Sequence, residues 1–291
     1  AIKNREIRKL IDCHTHIIAP WNTEPLTEDK LLEAVDALGI ERIVILPIGV
    51  SPETPYAYTG TEDVLEAYHR HPDRIIPFCS LDPRNGSNSP GTDFSWILGK
   101  YKEEGCKGLG ELTANLYIDD PKCRNLFDHC GRAGLPVLFH LAERFSGTYG
   151  VVDDAGLPRL EVCLRECANT AFIGHGPAFW SEISLNVDES TRGGYPKGEV
   201  VPGRLPQLLK EHPNLYGDLS ADSGFNAITR DPSYGYDFLE EFQDKLLFGT
   251  DLCNVGQSVP IVGYFRQGLK EGTISQVTYD KITERNAQRV I

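Results

Sequence analysis

Ile11-Asp12-Cys13-His14-Thr15-His16 closes the first apolar run of the chain on two histidines. Residues i and i+2 of a strand share a face about 6.6 Å apart, so both imidazoles can converge on one ion. What that ending means depends on the runs that follow it. After the first, Lys9–His14, seven more short apolar segments recur: Arg42–Pro47, Arg74–Ser80, Cys106–Leu112, Pro136–Leu141, Ala171–His175, Asn214–Ser220 and Lys245–Asp251. Each is bounded by turn residues and separated from the next by a helix-length stretch. Most carry adjacent Val, Ile, Leu or Phe rather than strict alternation, the pattern of a parallel strand covered on both sides.

The intervening stretches carry helix start and stop signals. Thr27 begins a helix running to Leu38, with Gly39 as its stop, Thr61 begins a second, and Asp120-Pro121 begins a fourth with proline at the first helical position. Two helix exits are alike, Tyr68 to Ile75 and Leu209 to Tyr216, and in each a helix ends at His-Pro and a strand follows. Eight β-α units in one rhythm predict an α/β fold, a single (β/α)8 TIM barrel over residues 1–291. An open doubly wound sheet is the rival, but no glycine-rich phosphate loop follows the first strand. The one long interruption, about residues 177–202, is rich in Gly, Pro, Ser and Glu and reads as an active-site loop.

Bulk properties narrow the partners. A formal net charge of −13 disfavours nucleic acid and anionic membrane surfaces, which need a basic face. No run of about 18 apolar residues predicts a membrane span. Residues 1–6 read as a charged lead-in to the first strand rather than a signal peptide. The eight scattered cysteines read as reduced, which points to the cytoplasm. A small-molecule substrate and a possible homo-oligomer complete the expectation.

In a barrel of this kind the active site lies at the C-terminal ends of the strands. Five of the eight predicted strands end in metal-ligand types: His14 and His16, Glu111, His140, His175 and Asp251. Closure makes the eighth strand the neighbour of the first and brings Asp251 beside the histidine pair. Each residue alone has an ordinary reading: chance for a lone His-x-His, a satisfied core histidine for His140, a helix cap for Asp251, a partner of a buried Arg for Glu111. Together they are harder to dismiss, because charged groups ending apolar strands are costly to bury unless bound. His69, His71, His129 and His212 sit on predicted helices or their exits and read as solvated surface. Cys163 and Cys167 lack a second ligand pair, and Cys253 reads as a loop thiol.

These residues resemble the amidohydrolase superfamily, and within it the amidohydrolase-related (amidohydrolase 2) branch of metal-dependent hydrolases and decarboxylases. The likeness covers essentially the whole chain: Ile11-Asp-Cys-His-Thr-His16, the fifth- and sixth-strand histidines, Phe248-Gly-Thr-Asp251, and the closing helix from Ile282 through Asn286 and Ala287. It implies a barrel holding one or two divalent metal ions, often Zn2+, with His14, His16 and Asp251 as ligands and His140 and His175 as ligands or catalytic partners. Many two-metal relatives bridge their ions with a carboxylated lysine ending the fourth strand. Here Glu111 holds that place and Lys107 sits too early, which leaves the metal count open.

The expected mechanism is hydrolysis of an amide, ester or lactone bond of a small carboxylate-bearing substrate by a metal-activated water. Asp251 would act as general base, an imidazole of His140 or His175 would stabilise the oxyanion, and Asp12 or Thr250 would orient the ligands. Arg144, Tyr149, Trp180 and Arg192 are the candidate substrate contacts, the two arginines for a carboxylate. The same branch contains decarboxylases and hydratases, so a lyase acting on an unsaturated or aromatic acid is the alternative.

Overall fold

A computed structural model of the chain describes residues 10–18, 24–48 and 59–291. Lys9, the predicted start of the first strand, lies outside these residues, as does the charged lead-in. Among the described residues nine parallel strands are present: β1 Leu10–Thr15, β2 Ile40–Ile45, β3 Ile75–Pro77, β4 Leu109–Leu112, β5 Val137–Ala142, β6 Val151–Val152, β7 Phe172–His175, β8 Leu215–Asp218 and β9 Leu246–Leu247. Hydrogen-bonded neighbours run β1-β2-β3 and β4-β5-β7-β8-β9, with the two-residue β6 added beside β5. Backbone bonds join both seams. Cys79 N–H donates to the Gly108 carbonyl at 2.9 Å and Gly110 N–H to that of Cys79 at 2.9 Å, linking β3 to β4. Cys13 N–H donates to the Phe248 carbonyl at 2.9 Å, Asp251 N–H to that of His14 at 2.8 Å and His16 N–H to that of Leu252 at 2.9 Å, linking β9 to β1. The fold is the α/β TIM barrel that the eight apolar runs predict.

Strands are shorter than the apolar runs suggest, because several runs continue past the last ladder bond into the loops that carry the site. The helix signals hold closely. Thr27 caps the helix Glu28–Ala37 and Asp120 caps Pro121–Ala133, each side chain accepting a first-turn backbone N–H. The helices ending at Arg70 and Glu211 stop where His-Pro follows. Between β8 and β9 two helices stand where one was expected, Ala221–Thr229 and Pro232–Glu241.

Apolar burial divides into two clusters. The smaller draws alternate residues from the strands, Ile11 and Cys13, Val44 and Leu46, Ile76 and Phe78, together with Ala287 of the C-terminal helix Asn286–Val290. The larger lies between strands and helices. Asn286 explains part of the closing motif: its amide donates to the carbonyls of Gln243 at 2.7 Å and Leu246 at 2.8 Å, satisfying backbone at the entry to β9. His129 corrects the sequence reading. It is buried, its Nδ1 lies 2.8 Å from the Asn125 carbonyl, and its ring meets the edge of Phe94.

At the β1–β9 seam Asp12 is fully buried and its carboxylate accepts from Thr250 Oγ1 at 2.6 Å and from the N–H groups of Thr250 and His14 at 3.0 Å. Asp12 and Thr250 therefore hold each other and the seam, and among the described residues Asp12 bonds His14 through its backbone N–H rather than its ring. Burial pushes the Asp12 carboxyl up to about 7, against those hydrogen bonds. Asp12→Ala leaves two buried N–H groups unpaired. The expected cost is about 3 kcal/mol, a melting temperature lower by about 6–12 °C in calorimetry, and an unchanged transition would contradict this role for the seam.

Candidate metal centre

Regular pleating sends neighbouring side chains to opposite faces. Yet Cys13 Sγ lies 3.4 Å from Asp218 Oδ1 and His14 Nδ1 lies 2.6 Å from Asp218 Oδ2, so consecutive residues reach one carboxylate. The pairing of β1 with β2 slips between Asp12 and Thr15, and this bulge re-aims the histidines into the barrel mouth. His16 is fixed differently, with Nδ1 2.9 Å from the Leu46 carbonyl. Each ring thus spends its Nδ1–H on an oxygen, and the two Nε2 atoms face each other at 3.0 Å. Two lone pairs at that distance repel unless a cation or proton sits between them.

Two carboxylates complete the cluster. Glu111 Oε2 lies 3.5 Å from His16 Nε2 and 3.8 Å from His14 Nε2, and Asp251 Oδ1 lies 3.4 Å from both. A tetrahedral ion with bonds of 2.0–2.1 Å needs donors about 3.3 Å apart, so these nitrogen and oxygen atoms fit a divalent cation. The other oxygen of Glu111, Oε1, lies 2.8 Å from His140 Nδ1 and 3.9 Å from His175 Nε2. One carboxylate therefore faces two histidine pairs, and the donor set has room for one ion or two. The groups His14–His16–Glu111 and Glu111–His140–His175 are each compact enough to hold a metal.

Glycines make the carboxylates' positions possible. Gly110 has φ +146°, and a Cβ there would come 2.4 Å from the Leu138 carbonyl oxygen, so only glycine lets β4 deliver Glu111. At Gly249 a Cβ would sit 2.9 Å from Asp218 Oδ1. Asp251 itself has φ +57°, a left-handed conformation that aspartate tolerates better than most residues, held by its N–H bond to the His14 carbonyl.

Asp218 is the residue that sequence reasoning missed. Fully buried, its Oδ2 lies 2.6 Å from His14 Nδ1, 3.1 Å from His175 Nδ1 and 2.9 Å from Ser220 Oγ. Such a carboxylate behind the ligating rings fixes their tautomer and leaves each Nε2 for the ion. Burial opposes its charge, but His14 and His175 hold it far below the usual carboxylate range. Burial likewise opposes charge on His14, yet Asp218 and Asp251 keep its pKa well above the ordinary imidazole value. Glu111, also working against burial, is held well below the usual range by His14 and His140, and Asp251 is lowered by His14 and His16. The cluster is thus electrostatically matched, anions surrounding a place for positive charge.

The four predicted substrate contacts divide. Tyr149 lines a cavity of about 170 Å³ over the donors, shared with His16, Glu111, His175 and Asp251, and its ring lies 4.5 Å from that of His140. Trp180 does not reach it. The indole is buried under Gly217 and donates its N–H to the Asp218 carbonyl at 2.7 Å, so it steadies the carboxylate from behind. Arg192 is fully buried, its guanidinium donating to the Asp153 carbonyl at 2.9 Å and lying 3.5 Å from Glu182, which pins the loop after the helix Pro177–Ser181 to the barrel. Arg144 is exposed and pairs with Glu143. Neither arginine lines the cavity. Cys253, read from sequence as a loop thiol, does line it.

A family model described as amidohydrolase matches residues 11–291. Among functionally curated proteins none matches this chain. Among solved structures the chain is similar to a probable 2-pyrone-4,6-dicarboxylic acid hydrolase from Acinetobacter baumannii with citric acid bound, at 13% identity and TM-score 0.59 over 97% of this chain and 99% of that one. It is similar to 5-carboxyvanillate decarboxylase from Sphingomonas paucimobilis, at 14% identity and TM-score 0.59 over 97% and 98%. An amidohydrolase from Burkholderia multivorans with bound zinc matches at 14% identity and TM-score 0.60 over 97% and 99%. At such identities the likeness shows the fold.

Two variants test the site. Purified protein should carry about one or two divalent ions per chain, and His14→Ala combined with His16→Ala should lose them by elemental analysis; full occupancy in the double variant would place the metal elsewhere. Asp218→Asn keeps the shape but not the charge behind His14 and His175. Metal affinity measured against a competing chelator should weaken about 10- to 100-fold, and an unaltered affinity would deny Asp218 this role.

Proposed function

The chain belongs to the amidohydrolase family, and on that premise we propose that it is a metal-dependent hydrolase that cleaves an amide, ester or lactone bond of a small substrate at the barrel mouth. The reading rests above all on the convergence of His14 Nε2, His16 Nε2, Glu111 Oε2 and Asp251 Oδ1 within 3.0–3.8 Å beneath an open cavity. His14, His16, Glu111 and Asp251 would hold a divalent ion, zinc being the best match to this donor set, and His140 with His175 would serve a second ion sharing Glu111. When bound, such an ion supplies Lewis acidity, acidifying a water and polarising the scissile carbonyl.

The protein's own groups account for the remaining work. The Asp251 side chain is about a quarter exposed and lies at the cavity floor, so it can accept the proton of the attacking water and return it to the leaving group. His175, anchored through Nδ1 by Asp218 and Ser220, presents Nε2 to the cavity as ligand or oxyanion partner. Tyr149 closes the side next to His140 and orients the substrate. The loop that Arg192 pins places Tyr195 at a neighbouring cavity on the other side of Asp251 and Cys253.

With Arg144 and Arg192 away from the cavity, the reason for requiring a carboxylate on the substrate is gone. A decarboxylase would have to hold its substrate carboxylate at the metal ligands themselves, since no guanidinium lines the cavity among the described residues. What favours hydrolysis is Asp251, which stands at the cavity floor beside the donors, where a proton must be taken from water. Zinc-loaded protein offered paired panels, esters, lactones and amides on one side and aromatic acids monitored for CO2 on the other, should turn over members of the first. Chelation should abolish that activity, a divalent ion should restore it, and Asp251→Asn should lower kcat by about 10² or more. CO2 release without any hydrolysis would transfer the site to the lyases.

A further inference from the structure

A second lobe of about 290 Å³ lies against the cavity over the metal donors, and the two share Asp251, Cys253 and Asn254 as wall. The far wall of this lobe is built by Tyr195 from the pinned loop and by Asp222 and Phe225 from the helix Ala221–Thr229. Phe225 is braced edge-on by Tyr264, their ring centres 5.9 Å apart. Asp222 is exposed in the first turn of that helix, and among the described residues no cation pairs with it. No Lys or Arg lines either lobe among the described residues. Residues 19–23 and 49–58, which follow β1 and β2 in the chain, contain none.

We infer that the second lobe receives the part of the substrate remote from the reacting bond, and that this part carries no negative charge, an ammonium-bearing tail being preferred to a carboxylate. The inference rests on the metal-hydrolase reading of the first lobe and adds the substrate class. Glu111 and Asp251 face the ion they would bind, so their charges are offset. Asp222 has no side-chain cation beside it among the described residues. A carboxylate entering the lobe would leave water, find no Lys or Arg among the described residues and approach the Asp222 carboxylate. An ammonium would gain the Asp222 carboxylate and the neighbouring aromatic side chains of Tyr195 and Phe225. Discrimination then comes as much from what the lobe repels as from what it attracts.

Hydroxamates test this without relying on turnover, because the hydroxamate head anchors at a metal whichever reaction the site performs. Three of equal length, ending in an ammonium, a carboxamide or a carboxylate, would be titrated calorimetrically into zinc-loaded protein and into its Asp222→Asn variant. The ammonium compound should bind at least about tenfold more tightly than the carboxylate, the carboxamide falling between them, and the gap should shrink to about threefold or less in the variant. A carboxylate tail that binds as well as the ammonium, or a gap untouched by Asp222→Asn, would overturn the inference. Failure of all three to bind would overturn it too, and the zinc content of the same samples separates the readings. With zinc present only the second-lobe assignment falls; with zinc absent the metal centre falls with it.

Discussion

Two imidazole nitrogens held 3.0 Å apart, each ring already anchored through its other nitrogen, set the terms for the rest of the barrel mouth. Left alone, that arrangement repels, so the surrounding groups are organised to supply and contain positive charge. Asp218 sits behind His14 and His175, Glu111 and Asp251 close the front, and every one of these carboxylates is held in its charged form by the histidines against the pull of burial. Buried charges of this density are tolerable only when paired or bound. The bulge in β1, Gly110 before Glu111 and the left-handed backbone of Asp251 all depart from regular barrel geometry, and all of them serve this one cluster.

The same constraint explains the division of labour between scaffold and site. The apolar alternation of β1, β2 and β3 fills the barrel interior, and Asn286 satisfies backbone where β9 begins. The short ladder of β9 frees Phe248 to Asp251 to bend across β1, and Asp12 ties that crossing through Thr250. Rigid packing below and bound backbone at the seam keep the donors in place, as a preorganised site requires.

Much of this is legible in the amino-acid sequence alone. Parallel strands buried on both faces announce themselves as apolar runs, and a His, Glu or Asp ending such a run is costly without a partner, so His14, His16, Glu111, His140, His175 and Asp251 stood out. The structure brings all six together. Asp218 carries the same signal in Leu215-Tyr216-Gly217-Asp218, but the apolar run Asn214–Ser220 sets the aspartate inside the expected strand rather than at its end. Loop residues were harder. Nothing in the sequence says which way a loop side chain faces, so Trp180 and Arg192 read as substrate contacts although both are buried supports. Cys253 erred in the opposite direction. His129 lies among the buried positions Cys123, Leu126, Phe127 and Cys130 of its helix, a periodicity that would have placed it inside.

Nitrogen and oxygen donors of this mouth, and no thiolate, are the ligands we propose for the divalent ion. X-ray absorption at the zinc edge of zinc-loaded protein reads those donors directly. The nearest ligands should lie at about 2.0–2.1 Å, all nitrogen or oxygen, with the multiple-scattering signature of at least two imidazoles. A sulfur shell near about 2.3 Å, or a spectrum without imidazole, would contradict that ligand set.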